Sequence, residues 1–130
     1  MKHIAIGENH LYSKAYAKGK KFVSRSTVVY ILKDLKSEKL MKANPMKEYI
    51  NRIGITVSKK LGSAVVRNRT KRVLREGLRQ AENELNLKKG YLIVLVARTS
   101  CTEAKSCHVA KDLIRAFKAL DMTVNDEKNT

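Results

Sequence analysis

The sequence predicts a single α/β domain in which helices pack against a β-sheet. Residues 53–57 alternate between apolar and polar side chains, Tyr91–Ala97 is a continuous apolar run, and a long segment without proline joins them. At 130 residues the chain suffices for one core, and a second core would leave each half close to the size at which folding becomes marginal. We expect one domain over residues 1–120 and a disordered tail over residues 121–130.

The first half of the chain predicts one short helix followed by two strands. Residues 9–19 have a candidate capping Asn, apolar residues at helical spacing and a closing Gly, which indicates a helix. Residues 27–35, TVVYILKDL, are rich in β-branched residues and predict a strand. Charges and an Asn-Pro step make residues 36–49 an irregular connection. Residues 53–57 then predict a strand with one buried face.

The second half predicts a long helix, a buried strand and a final helix. The long helix is expected over residues 64–87, and Gly90, shortly after residue 87, is expected to end it. Tyr91–Ala97 has the composition of a strand that is buried on both faces. Apolar residues recur on one face over residues 109–120, so a last helix is expected there, with Ser100 or Thr102 as its cap.

The net charge indicates a polyanionic partner. The chain has 28 Lys and Arg against 12 Asp and Glu, which gives a formal charge of +16 and a pI near 10.1. Such charge repels itself, and a phosphate backbone is its commonest partner. A membrane surface is the alternative, but the chain has neither an apolar run of about 18 residues nor a signal-peptide pattern. We therefore expect a cytoplasmic protein that binds nucleic acid and no membrane.

The long helix has two distinct faces when successive residues are placed about 100° apart around its axis. Each face spans an arc of about 140°. The arc expected to cover the sheet contains Val66, Val73, Leu74, Gly77, Leu78, Ala81 and Leu85. The adjoining arc contains Arg67, Asn68, Lys71, Arg72, Arg75 and Arg79, and Arg69 lies a little beyond its edge. These seven residues are called the cationic face below.

The cationic face is not an ordinary solvated helix surface. A solvated face mixes acidic and basic residues at spacings of three and four residues. This face has positive charges at those spacings, and their repulsion destabilises the helix. Five of the cations are Arg, whose planar fork binds phosphate and guanine edges bidentately, and Asn68 can contact a base or a ribose. The pattern predicts binding of RNA or DNA.

Side chains for metal binding or catalysis are sparse. Cys101, Cys107 and His108 supply three ligands at a spacing unlike that of a zinc site, and a cytoplasmic location disfavours a disulfide. We interpret Cys107 as a small, half-buried helix residue. Phosphodiester hydrolysis by a protein needs clustered carboxylates or a His pair, and the sequence suggests neither. We predict no catalytic residues in this chain and can assign no metal ligand.

Residues 55–76, ITVSKKLGSAVVRNRTKRVLRE, resemble the signature of the protein subunit of bacterial ribonuclease P, in which an Arg-Asn-Arg helix follows a Lys-Lys-hydrophobic-Gly turn. A weaker resemblance covers residues 9–120. Within residues 55–76, the positions that match the signature are Lys59, Lys60, Gly62, Ala64, Val65, Arg67, Asn68, Arg69, Lys71, Arg72, Arg75 and Glu76. The family resemblance implies an α+β sandwich with a mixed four-stranded sheet packed with helices. It also implies the element order α-β-β-β-α-β-α and a left-handed β-α-β crossover.

The resemblance also implies a function for the protein and a binding role for particular residues. In the family the catalyst is an RNA molecule, and the protein helps it to remove the 5′ leader from precursor transfer RNA. The implied cofactor is Mg²⁺, bound mainly by the RNA, and one protein is expected per RNA. The cationic face would bind the catalytic RNA. The single-stranded leader would run in a cleft lined by Tyr12, Tyr16, Tyr30, Lys59 and Lys60.

Two other functions and one structural alternative are open. A structural ribosomal RNA-binding or ribosome-assembly protein would share the basic helix and the small size. A helix-turn-helix protein would need a second helix shortly before the recognition helix, where this sequence predicts a strand. Tyr12, Tyr16 and Tyr30 would serve only as core residues if no leader bound them.

Overall fold

The computed structural model describes residues 3–6, 9–34 and 51–123, and within them it contains five strands and three α-helices. The predicted connection over residues 36–49 lies outside the described residues. The strands are β1 His3–Ala5, β2 Lys20–Val23, β3 Thr27–Lys33, β4 Asn51–Thr56 and β5 Tyr91–Ala97. The helices are α1 Asn9–Lys18, α2 Ala64–Glu84 and α3 Ser106–Ala119, with short 3-10 helices at Lys59–Leu61 and Thr99–Glu103.

The strands form one mixed sheet in the order β1-β4-β5-β3-β2. β4 is parallel to β1 and β5, whereas β3 is antiparallel to β5 and β2. From α1 to α3 the order is the predicted α-β-β-β-α-β-α, and β2 to β5 supply the predicted four strands. β1 is a fifth strand that the sequence did not indicate, because three residues are too few to show alternation. α2 connects the parallel neighbours β4 and β5, and the handedness of this crossover stays a prediction.

Helices cover the sheet on both faces, with β5 at its centre. On one face, Leu74 and Leu78 of α2 and Phe117 of α3 belong to the same buried cluster as Ile93 and Leu95 of β5. On the other face, Leu11 and Ala15 of α1 pack with Leu92 and Val94 of β5. The prediction that β5 is buried on both faces is therefore confirmed.

A glycine allows α2 and α3 to approach each other closely. A Cβ atom at Gly77 would lie 2.7 Å from Cγ1 of Val109 and 3.2 Å from the backbone nitrogen of Ala110. These distances are shorter than van der Waals contact, so a side chain here would push the helices apart. The glycine in the predicted apolar arc thus serves the packing of the two helices.

Several predicted details of the second half are wrong. α2 ends at Glu84 rather than near residue 87, and Leu85 is its C-cap. α3 begins after Lys105, and neither predicted cap serves it: the hydroxyl of Ser100 donates to the carbonyl of Arg25, while Thr102 donates to a carbonyl within its own 3-10 helix. Local sequence did not show this, because a 3-10 helix is inserted before α3 and the Ser100 hydroxyl binds a carbonyl 75 residues away.

The packed chain continues beyond the predicted domain end at residue 120. Met122 is fully buried, and the backbone N–H of Lys88 donates to its carbonyl over 2.7 Å. An isolated bridge also pairs Leu87 with Thr123. Residues 121–123 therefore belong to the domain, and the predicted tail over residues 124–130 lies outside the described residues.

The two cysteines are free and differ in exposure. Cys107 is exposed on α3 rather than half-buried as expected, whereas Cys101 is completely buried. Cys107 was misplaced because helical spacing puts it off the face of α3 that contains the buried Val109, Ala110 and Leu113. Burial, and secondarily the charge of Asp112, raises the pKa of the Cys101 thiol from 9.0 to about 11.

We expect the two thiols to react at very different rates. Because the thiolate is the nucleophile, an alkylating reagent near pH 8 should modify Cys107 rapidly and Cys101 only in urea. Timed labelling followed by peptide mass spectrometry measures this, and equal rates in the folded protein would contradict the burial of Cys101. The raised pKa also means that the free energy of unfolding falls as the pH rises from 9.0 through about 11, because the unfolded state loses the proton first.

A buried ion pair joins the two ends of the segment that the structure does not describe. Asp34 follows β3, Arg52 lies in β4, and the carboxylate accepts hydrogen bonds from Nε at 2.6 Å and Nη2 at 2.9 Å. The Asp34 side chain is 4% exposed and the Arg52 side chain 15%. This bidentate pair fixes where the chain leaves β3 and re-enters the sheet.

Candidate RNA interface

The start of the cationic helix is built by a short local sequence. Ser58 caps the 3-10 helix by accepting a hydrogen bond from the N–H of Lys60. Gly62 has φ 149°, where a side chain would be strained. Ser63 then caps α2 by accepting a hydrogen bond from the N–H of Val66 at 3.4 Å. The sequence SKKLGS therefore sets the direction of α2 and leaves Lys59 and Lys60 exposed.

Two arginines of the cationic face are held in place by backbone carbonyls. Nε of Arg67 donates to the carbonyl of Gly62 at 3.3 Å, and Nη1 of Arg69 donates to the carbonyl of Thr102 at 2.6 Å. A guanidinium has five N–H donors, so each of these bonds orients the group and leaves donors for a ligand. The local sequence shows the position of Arg69 but not its contact with a turn 33 residues away.

The remaining predicted residues divide into exposed and partly covered side chains. Asn68, Arg72 and Arg75 are exposed along the middle of the face, and Lys71 is half-buried. All seven members of the cationic face therefore lie together on one helix, as predicted. Their contacts with RNA stay a prediction.

Arg79 differs from the other arginines because it already has an acidic partner. Its guanidinium donates hydrogen bonds to both carboxylate oxygens of Glu76. The hydrogen bond from Arg79 lowers the pKa of Glu76, and the same bond raises the pKa of Arg79. Among the residues that the structure describes, no acidic side chain forms an ion pair with the cations from Arg67 to Arg75, which are called the unneutralised part of the face, and Arg79 contributes less than its position suggested.

One apolar residue of the face was not singled out as a site residue. Val65 is 79% exposed at the start of α2. It lies three residues before Asn68 and four before Arg69, so helical spacing puts it beside both. An exposed valine among cations can pack against a ribose or a base. The spacing alone would have indicated this position.

The three predicted cleft tyrosines lie between α1 and the sheet, but their environments differ. Tyr16 is 41% exposed, its ring centroid lies 4.9 Å from that of Tyr30 with 69° between the planes, and its hydroxyl lies 3.4 Å from Oγ1 of Thr56. Tyr12 packs on Gly54, where a Cβ atom would lie 2.5 Å from the ring. Burial, and then the nearby Tyr16, raises the pKa of Tyr12. Tyr12 is thus largely a packing residue, whereas Tyr16 is partly exposed to solvent.

The tyrosine cleft and the cationic face meet at one end of the sheet. β4 ends at Thr56, beside Tyr16, and the 3-10 helix with Lys59 and Lys60 begins three residues later and leads into α2. The two lysines therefore lie between the cleft and the arginines. An extended RNA strand in the cleft and a folded RNA on α2 would both be within reach of this turn.

The described part of the chain lacks a metal-binding cluster, a membrane-spanning helix and a helix-turn-helix unit. Within residues 3–6, 9–34 and 51–123, no three His, Cys, Asp or Glu side chains are grouped so that they could hold a metal ion. In the same ranges no helix has the length and apolar character needed to cross a bilayer. The element before α2 is a 3-10 helix that follows a strand, so the helix-turn-helix alternative is excluded.

Fold and site together define a class: a small, basic α+β protein with one cationic helix and an aromatic cleft on the other face of its sheet. The family model described as Ribonuclease P matches residues 1–121. A Ribonuclease P protein component from Clostridium acetobutylicum is 38% identical over 129 residues, which cover 99% of this chain and 98% of that protein. The chain belongs to the ribonuclease P protein family.

Solved structures show the same architecture. The RNase P protein of Staphylococcus aureus matches with a TM-score of 0.67 and 27% identity, over 92% of this chain and 97% of that one. The RNase P protein of Thermotoga maritima matches with a TM-score of 0.60 and 26% identity, over 80% of this chain and 86% of that one. The sandwich expected from the sequence resemblance is confirmed by these likenesses.

Proposed function

We propose that this chain is the protein subunit of a ribonuclease P that removes the 5′ leader from precursor transfer RNA. In this proposal an RNA subunit catalyses the cleavage, and one protein joins each RNA in the cytoplasm. The single observation that carries the proposal is the unneutralised stretch from Arg67 to Arg75 in a chain that belongs to this family. Its side chains bind and orient phosphates, which is the task of a subunit that supports a catalytic RNA.

The arginines bind the catalytic RNA in a geometry that is partly set before association. Because the carbonyls of Gly62 and Thr102 already hold Arg67 and Arg69, less side-chain freedom is lost when a phosphate binds. Asn68 contacts a base or ribose, and Arg72 and Arg75 follow the RNA backbone. Folded RNA, with phosphates on both sides of a shallow groove, offers ligands along the whole face.

The tyrosine cleft binds the single-stranded leader. A leader base stacks on Tyr16, whose ring is exposed and is held by Tyr30 and Thr56. Lys59 and Lys60 attract the phosphates as the strand leaves the cleft. Because every base has a π face, stacking accepts leaders of any sequence. This suits a subunit that serves many precursors.

Mg²⁺ is the proposed cofactor, and RNA phosphates are its main ligands. When bound, it supplies charge stabilisation at the reacting phosphate and an activated water. The described residues offer no cluster of acids, histidines or cysteines for it. The share of this chain is to position the two RNA molecules and to lower the repulsion between their backbones.

Leader removal in low Mg²⁺ tests the proposal. Purified protein is added to ribonuclease P RNA and a radiolabelled precursor at a Mg²⁺ concentration at which the RNA alone is nearly inactive. We expect a large increase in cleavage at the mature 5′ end. An equally basic ribosomal protein is the control, and no greater stimulation by this chain than by that control would favour the ribosomal alternative.

Replacing Tyr16 by Ala is expected to weaken binding of precursor more than binding of mature transfer RNA. Loss of one stacking contact costs about 1 to 3 kcal/mol, which is roughly 5-fold to 150-fold in affinity. Binding titrations of the holoenzyme with both RNA molecules measure the difference. Tyr16→Phe, which keeps the ring and loses only the contact with Thr56, should bind like the original chain. Equal losses for precursor and mature RNA would make Tyr16 a core residue.

A further inference from the structure

A pocket at the other end of the sheet gathers lysines from four separate parts of the chain. Lys18 ends α1, Lys20 begins β2, Lys33 ends β3, and Lys88 lies between α2 and β5. The pocket has a volume of about 280 Å³ and opens to solvent. Its wall and floor also include Tyr91 and Asp121.

The lysine pocket is separate from the interface described above. It lies where β3 ends and β5 begins at Tyr91, whereas the tyrosine cleft lies beside Thr56, which pairs with Val96 near the end of β5. Five residues of strand between Tyr91 and Val96 correspond to about 17 Å. Lys18 at the end of α1 belongs to the pocket, and Tyr16 of the cleft lies two residues before it, so α1 contributes to both sites. The two sites share no lining residue, and a strand of RNA that fills the cleft must continue past the end of α1 to reach the pocket.

Structural reasons account for single lysines but not for their convergence. A lysine at the end of α1 favours the helix dipole, and a lysine in β2 protects an edge strand from pairing with another chain. Neither reason applies to Lys88. Lys88 does have an acidic neighbour, Asp121, at 3.4 Å, but that carboxylate is 88% exposed, and such a pair is weak.

The walls of the pocket are fixed by backbone contacts. The N–H of Lys88 donates to the carbonyl of Met122, whose side chain is fully buried, and the N–H of Met122 donates to the carbonyl of Phe117. These bonds hold the segment with Asp121 against the segment with Lys88. The site is therefore formed before any ligand arrives, which reduces the entropic cost of binding.

We infer that this lysine pocket is a second RNA-binding site, which takes a phosphodiester and its nucleotide from the RNA that the proposed function supplies. Lysines bind phosphate as point charges, and the half-buried Tyr91 offers an apolar surface to a ribose or base. The volume is near the lower limit for ligand pockets, which suits one nucleotide of a longer strand. The inference rests on the proposed function, and the RNA is either the catalytic RNA or the leader.

The salt dependence of RNA binding tests the pocket. Lys18→Ala with Lys20→Ala removes two cations of the pocket, and Lys111→Ala with Lys118→Ala removes two exposed lysines of α3 as a control of equal charge. For the pocket variant we expect the slope of log affinity against log salt to fall by about 1.4 to 1.8, and affinity near 0.15 M salt to fall about tenfold. The control should change the slope much less.

Two RNA ligands identify the source of the phosphate. A loss seen with ribonuclease P RNA and not with a single-stranded leader oligonucleotide assigns the pocket to the catalytic RNA, and the reverse assigns it to the leader. Equal losses in the pocket and control variants, or no loss in either, would overturn the inference. If the unchanged protein bound neither RNA, the proposed function itself would fail, which is a different result.

Acetylation of the unchanged protein gives a second test that needs no variant to fold. Lysines are modified with and without bound RNA, and peptides are quantified by mass spectrometry. We expect RNA to protect Lys18, Lys20 and Lys88, and to leave Lys111 and Lys118 as reactive as before. Equal reactivity of the pocket lysines with and without RNA would contradict the inference whatever the variants do.

Discussion

Replacing Arg67 and Arg69 together by Ala is expected to weaken binding of ribonuclease P RNA by about 100-fold or more. Each hydrogen bond to a charged group contributes about 1.5 to 3 kcal/mol, and about 1.4 kcal/mol corresponds to a factor of ten. The slope of log affinity against log salt should also fall by about 1.4 to 1.8. Fluorescence titrations over a series of salt concentrations measure both quantities.

Three further variants separate the possible causes of that loss. Lys111→Ala with Lys118→Ala removes the same charge from α3 and should affect affinity much less. Arg79→Ala should have a smaller effect than either arginine alone, because Glu76 already neutralises Arg79. Arg69→Lys keeps the charge and loses the planar fork that Thr102 orients. An unchanged salt slope in the Arg67 and Arg69 variant would show that the cationic face does not bind phosphate.

Replacing Asp34 by Asn is expected to lower the free energy of unfolding by about 3 to 5 kcal/mol, because a neutral amide replaces the carboxylate that binds the buried guanidinium of Arg52 in bidentate fashion. Urea denaturation followed by circular dichroism measures the change. Since the pair joins β3 to β4, the loss should appear as a lower midpoint for the whole domain. Binding of RNA to the cationic face below the transition should be little changed, because the pair lies beside Lys33 and Tyr91 of the lysine pocket and not beside α2.

Matched variants show whether burial of the pair is the cause. Glu76→Gln breaks the exposed pair with Arg79 and should leave the urea midpoint nearly unchanged. Asp34→Leu with Arg52→Met replaces both charges by apolar groups and should destabilise less than Asp34→Asn alone. If the single and double variants were equally unstable, the ion pair would not explain the effect.

Much of the fold could be predicted because its signals are local. The turn from Ser58 to Ser63 and the two faces of α2 follow from a few neighbouring residues and from helical spacing. The apolar run of β5 indicated a central strand, and the structure confirms it. Chirality of the crossover had no local signal, and only the resemblance supplied an expectation for it.

Other features depend on residues far apart in the chain. β1 is recognisable only through its pairing with β4, and the anchoring of Arg69 depends on a carbonyl in the turn before α3. Tyr12 and Tyr16 look equivalent in the sequence, but only Tyr12 rests on Gly54. The sequence around Tyr12 and Tyr16 could not show which of the two is packed and which is exposed. The burial of a side chain depends on the residues of other segments that pack against it.

By itself the sequence determined that one helix has a cationic face and that its start is capped, since helical periodicity and capping act within a few residues. Only the tertiary structure decided which other candidate binding surfaces the protein has. The tyrosine cleft and the lysine pocket each require strands from distant parts of the chain to pair in one sheet. Pairing of this kind is set by packing of the whole core, and no local pattern encodes it.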